Sequence, residues 1–207
     1  MNAPETDLLK PLLDAQTIEK LGVYVAELLR WNKKISLTSV PDNKVFVDLA
    51  APSAWLGAQY SKEKIGVIAD FGTGPGFPGI PMAIADPNNR YLLIDSIGKK
   101  TGFIKHCIRL LELKNAEVLE TRMTEKTKME PVDRIVSRAA GEIGEILRLF
   151  KGKAKSGAIA DFFKGNDAEE EIEKARKENP AIKAQIIKTP DWFGGLRIVR
   201  INGAFSR

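Results

Sequence analysis

The chain has one cysteine and one histidine in 207 residues. Cys107 has no partner for an internal disulfide, which suits a reducing cytoplasm. It falls on the apolar stripe of an expected helix, where a thiol is buried and inert. His106 flanks the same stripe and reads as a packing or surface residue, and no metal site is expected. No apolar run approaches the about 18 residues that a membrane span requires. The opening MNAPETDLLKPLLD lacks a basic start followed by an apolar block, so no secretory signal is expected.

Hydrophobic residues make up 43% of the chain, enough for a substantial core, and Lys and Arg exceed Asp and Glu by a net charge of +5. Basic clusters recur at Lys33-Lys34, Lys99-Lys100, Lys151 to Lys155 and Arg176-Lys177. Each alone reads as a solvated face. Beside a small-molecule site they point toward a nucleic-acid substrate.

That site is Asp70-Phe71-Gly72-Thr73-Gly74-Pro75-Gly76-Phe77-Pro78-Gly79, set between the apolar runs 67–69 and 80–85. A buried strand, a glycine turn and a helix start read this way. The glycines allow positive φ and close approach to a ligand. The helix start is expected to leave N–H groups free for an anionic group.

Upstream, Ile18, Leu21, Val25, Leu28 and Leu29 share one face of a helix over 17–31, capped by Asp14 or Thr17. Residues 44–60 are expected to be helical with Pro52 interrupting them. From residue 65 strands alternate with helices: strands at 67–69, 91–95, 116–120, 134–137 and 158–163, with helices between them except over 121–131, which is polar and loop-like. The last two strands, 184–187 and 196–201, have a short link and should pair antiparallel. The expected fold is α/β: one domain over 1–207, with a helical N-terminal extension (1–60) and a doubly wound, mostly parallel, Rossmann-like sheet (65–207) ending in an antiparallel hairpin.

Gly74 to Gly79 spells G-x-G-x-x-G, and Asp95 follows where a ribose-binding acid would stand, so a nicotinamide dinucleotide is one reading. Three features favour S-adenosyl-L-methionine. Asp70 would repel a pyrophosphate but suit an ammonium group. Pro75, Pro78 and Pro81 remove N–H donors. The closing hairpin is common in methyltransferase sheets. Asp95 is then placed to accept both ribose hydroxyls, with Gly72, Gly74 and Gly76 forming the cradle.

DFGTGPGFPGIPMAI, LLIDSIGKKTGFIKH, TRMTE, VSRAAGE, FFKG and RWNKKISLTSV occur in an order and spacing that resemble the ribosomal RNA small subunit methyltransferase G family, also called glucose-inhibited division protein B. The likeness covers nearly the whole chain. It implies a class I methyltransferase fold and methyl transfer from S-adenosyl-L-methionine to N(7) of a guanine in 16S rRNA. It implies cofactor contacts at Gly72, Phe77, Asp95, Ser96, Met123, Thr124 and Arg138. Arg138 and Lys164 would orient the guanine, with Arg122, Lys99, Lys100 and Lys164 toward the RNA. The family's acidic residue is Thr124 here, and its Arg-His-x-x-Asp-Ser segment is Asp48-Leu49-Ala50-Ala51-Pro52-Ser53, keeping only the serine. A cytoplasmic monomer is expected. A non-catalytic ribosome-assembly factor on the same fold is the alternative from another class.

Overall fold

The computed structural model describes residues 6–205. Helix α1 (Ala15–Ile35) begins where the Asp14 carboxylate accepts the Thr17 N–H at 2.7 Å and ends at Ser36, whose φ is 41°. It runs past the expected 17–31 at both ends. Asn32 in its last turn then pins the departing chain, its Oδ1 accepting the N–H groups of Leu37 and Thr38 at 2.6 and 2.9 Å. A 3-10 turn (Asp42–Lys44), a π-helical turn (Val45–Ala50) and helix α2 (Ala51–Tyr60) follow without a gap. The expected interruption at Pro52 is absent: the proline sits in the first turn of α2, where a missing N–H costs little.

The remainder runs β1 (Val67–Phe71), α3 (Gly79–Ala85), β2 (Arg90–Asp95), α4 (Gly98–Leu110), β3 (Ala116–Glu120), β4 (Val132–Arg138), α5 (Ile143–Leu149), β5 (Ala154–Lys164), α6 (Ala168–Glu178), β6 (Lys183–Ile187) and β7 (Arg197–Asn202). Strand and helix alternate except between β3 and β4, where the expected loop runs, and between β6 and β7. The strands form one sheet in the order β3-β2-β1-β4-β5-β7-β6. β1 to β5 are parallel, and β7 lies antiparallel between β5 and β6. The fold is therefore doubly wound and mostly parallel, with the expected antiparallel end. The order reverses between β1 and β4, where a ligand crevice forms in such sheets.

Alternate residues of β1 feed opposite layers. Ile68 packs with Leu21, Tyr24, Leu93 and Phe103 under the N-terminal helices, and Ala69 packs with Ile135, Ile146, Phe162 and Ile172 under α5 and α6. Register brings Phe71 level with Ile94 and Ser137, Arg138 level with Phe163, and Lys164 level with Arg197. The carboxyl ends of β1, β2, β4 and β5 thus meet at one edge.

One buried charge cluster was not foreseen. Asp161 on β5 is fully buried and accepts two hydrogen bonds from Arg200, its partner across β7, at 2.8 and 2.9 Å. The Tyr60 hydroxyl donates to it, and Arg134 Nη1 lies 3.9 Å away.

Candidate functional site

The glycine turn is organised from beneath. Gly72 and Thr73 donate to the Ile94 carbonyl at 2.9 and 3.1 Å, and Gly76 and Phe77 donate to the Thr73 carbonyl at 2.9 and 2.8 Å. Gly74 donates to Asp95 Oδ2 at 2.9 Å, and Gly79 to Asp70 Oδ2 at 2.7 Å. Positions 75 and 78 are proline. Every N–H from 72 to 79 is therefore already bonded within the protein. This corrects the expectation of free amides at a helix start: the turn folds back on its own carbonyls and carboxylates, and α3 spans only 7 residues.

Glycine is required at Gly72, where φ is +69° and a Cβ would lie 2.3 Å from that of Ala140. Helix α1 holds the turn from the other side. Tyr24 donates its hydroxyl to the Pro75 carbonyl at 2.9 Å, and its ring meets Phe77 edge-on at 5.4 Å. The Phe77 side chain thus points into the core.

Asp70 is buried behind the turn. Burial pushes its pKa up to about 7, against the Thr73 hydroxyl and the Gly79 N–H, which favour the anion. Thr73 Oγ1 lies beside it without the geometry of a full hydrogen bond. Because the native state then holds its proton more tightly than the unfolded chain, stability contributed here falls as pH rises from about 4 toward 7. Asp70→Asn removes that slope. In urea titrations from pH 4 to 8 the variant should gain on wild type with rising pH, by on the order of 4 kcal/mol at full ionisation. A difference that does not change with pH would contradict this.

Beside the turn lies a cavity of about 370 Å³ at the carboxyl ends of β1, β2 and β3. Gly72, Asp95, Ser96, Lys100, Arg122 and Met123 line it. Asp95 holds its rim in place by also accepting the Ile97 N–H at 2.9 Å. Ala139 and Ala140 close the β4 side and Ile97 the outer edge, none of them anticipated. Ala139 has φ 53°, so the chain turns sharply after β4. The small pair Ala139-Ala140 before Gly141 was the available signal: it lets this turn pass against Gly72.

Other named residues stand outside that lining. Thr124 is exposed, its N–H and hydroxyl engaged with the Thr127 hydroxyl at 2.9 and 3.2 Å. Lys99 is exposed at the start of α4. Gly74 and Gly76 shape the turn from behind. Lys164 is nearly buried, paired with both Glu171 oxygens at 2.7 Å and donating to the Gly141 carbonyl at 2.9 Å.

Arg138 follows from Pro52. Proline has no N–H for the helical bond to the Asp48 carbonyl, and that carbonyl accepts Arg138 Nη2 at 2.7 Å. The guanidinium also lies over the Phe163 ring at 5.6 Å, and its buried Nη1 has no partner. Burial pushes its pKa down to about 10, opposed by the Asp48 carboxylate, so it stays charged at neutral pH.

Residues 17–193 match the family model described as rRNA small subunit methyltransferase G. The chain belongs to that family. Relatives named ribosomal RNA small subunit methyltransferase G include one from Pasteurella multocida, 31% identical over 189 residues (89% of this chain, 87% of the relative). Another, from Xanthomonas oryzae, is 35% identical over 170 residues (82% and 79%). The sheet is that of S-adenosylmethionine-dependent methyltransferases. An O-methyltransferase from Bacillus cereus, solved with SAH, aligns with a TM-score of 0.63 at 17% identity, covering 97% of each chain. A SAM-dependent methyltransferase from Aquifex aeolicus aligns at 0.59 and 16% identity, over 77% of this chain and 92% of its own. In this member of the methyltransferase G family, the Asp48 carbonyl from the 48–53 segment and the Phe163 ring from β5 hold Arg138.

Proposed function

We propose that this chain transfers a methyl group from S-adenosyl-L-methionine to N(7) of a guanine in small-subunit ribosomal RNA. Its family membership across residues 17–193 carries the reading. The site fits the donor: the cavity offers the Asp95 carboxylate for ribose hydroxyls, and the bonded-off turn offers no N–H to a dinucleotide pyrophosphate.

When bound, S-adenosyl-L-methionine supplies a methyl group already activated on a sulfonium. Guanine N(7) carries a free lone pair and no proton, so no general base is needed. What remains for the protein is alignment, where pre-organisation supplies several kcal/mol. Asp95 and Ser96 would hold the ribose end and Met123 and Thr124 the adenine end, with the Gly72–Phe77 turn and Asp70 behind it fixing the amino-acid tail. Arg138 would orient the base, and Lys164 would fix the Gly141 turn beside it. Lys99, Lys100 and Arg122 would meet RNA phosphates. A paired guanine must first be exposed. A ribosomal RNA substrate would place the enzyme in the cytoplasm. Among the described residues no helix is long and apolar enough to cross a membrane.

Labelled donor incubated with undermethylated small subunits, followed by base mapping, tests this. Label should appear on guanine N(7). Donor binding without transfer to subunits or to naked RNA would instead favour a non-catalytic assembly factor.

A further inference from the structure

Beyond the cavity, α4 and the end of α1 share a face whose free charges have one sign. Lys99, Gly102, His106 and Arg109 follow one another at spacings of three and four, so they form one stripe along α4. His106 fixes which way the stripe faces: its Nε2 lies 2.6 Å from Glu27 on α1, and its ring lies 5.1 Å from that of Trp31. The α1 residues on the same side as Glu27 and Trp31 are Arg30 and Lys34. Arg30, Trp31, Lys34 and Ile35 line a surface hollow of about 280 Å³.

The carboxylate in this seam is fully engaged. Glu27 accepts from Arg30 Nε at 2.9 Å and from Trp31 Nε1 at 2.7 Å as well as meeting His106. Arg30 first, then Trp31 and His106, hold its pKa down at about 2, so it remains an anion spent on its neighbours. Lys34, Lys99 and Arg109 are exposed, and among the described residues their side chains form no ion pair. Gly102, between Lys99 and His106, has open space where a side chain would be. The band starts at the cavity, since Lys100, next to Lys99, lines it. Ten residues of helix separate Lys99 from Arg109, roughly 15 Å.

We propose that this α1–α4 face is the track along which the ribosomal RNA backbone lies as it leaves the methyl-transfer site. Unpaired cations in a row, a bare glycine that lets the strand approach the helix, and continuity with the cavity fit a polyanionic strand. The proposal rests on RNA being the substrate.

The test uses a fluorescently labelled naked rRNA fragment and a Lys34→Gln, Arg109→Gln double variant, with the glutamate pair as a stronger perturbation. Anisotropy titrations at several salt concentrations should show at least about fivefold weaker binding and a log–log salt slope shallower by about 1.4, the loss expected of two single-strand phosphate contacts. Donor Kd and the single-turnover rate at saturating RNA should stay within about twofold. Unchanged affinity and slope in both series would overturn the track. So would a defect confined to assembled subunits, which would assign this face to a ribosomal protein. Because binding is read apart from transfer, RNA binding on the track without methylation would sink the enzymatic reading and leave the track standing.

Discussion

Asp95→Ala should raise the dissociation constant for S-adenosyl-L-methionine about 100-fold or more. The carboxylate does two things at once. It accepts the Gly74 and Ile97 N–H groups, each at 2.9 Å, and so ties the glycine turn behind the cavity to its Ile97 edge. Each such bond to a charged acceptor is worth about 1.5–3 kcal/mol. It also lines the cavity, where its remaining lone pairs would accept from the ribose hydroxyls. Alanine removes the anchor and the acceptor together. Asn keeps one acceptor oxygen and should lie between, near a tenfold loss. Titration calorimetry on folded variants measures this, and an alanine variant within threefold of wild type would remove Asp95 from the site.

The largest loss of stability should come from Asp161→Ala, on the order of 3–5 kcal/mol. Arg200 donates twice to this carboxylate, and Arg134 leans on it while its own Nε and Nη1 lack hydrogen-bond partners. Truncation would leave two guanidinium groups at the centre of the sheet with Glu63, 3.7 Å from Arg134 Nη2, as the remaining counter-charge. Against a total of about 5–15 kcal/mol, that loss would be plain in urea unfolding. Asp161→Asn keeps an acceptor for Tyr60 but not the charge, and should lose less. If alanine costs under about 1 kcal/mol, the cluster is no keystone.

The strands, the glycine turn and the Asp14 cap were legible because each is written locally, in period or in turn chemistry. The Asp161 cluster was not, because its partner Arg200 lies 39 residues along the chain and only strand pairing brings the two together. Pro52 was misread for a related reason. Proline forbids one N–H bond, but whether that breaks a helix or opens one depends on the turn before it, here a π-helical turn. The cradle's chemistry was half legible: the sequence marked where the chain bends, while the bonds that consume its amides come from Ile94, Thr73, Asp70 and Asp95. Lys164 likewise acquires Glu171 across the start of α6, a partner that no motif announces.

A crystal structure with S-adenosylhomocysteine bears most directly on all of this. The ribose hydroxyls should meet Asp95, with the adenine between Ile97 and Met123 and the amino-acid tail at the Gly72 turn. Ligand density elsewhere, for example in the hollow between α5 and α6 lined by Leu147, Ala175 and Ile182, would contradict it.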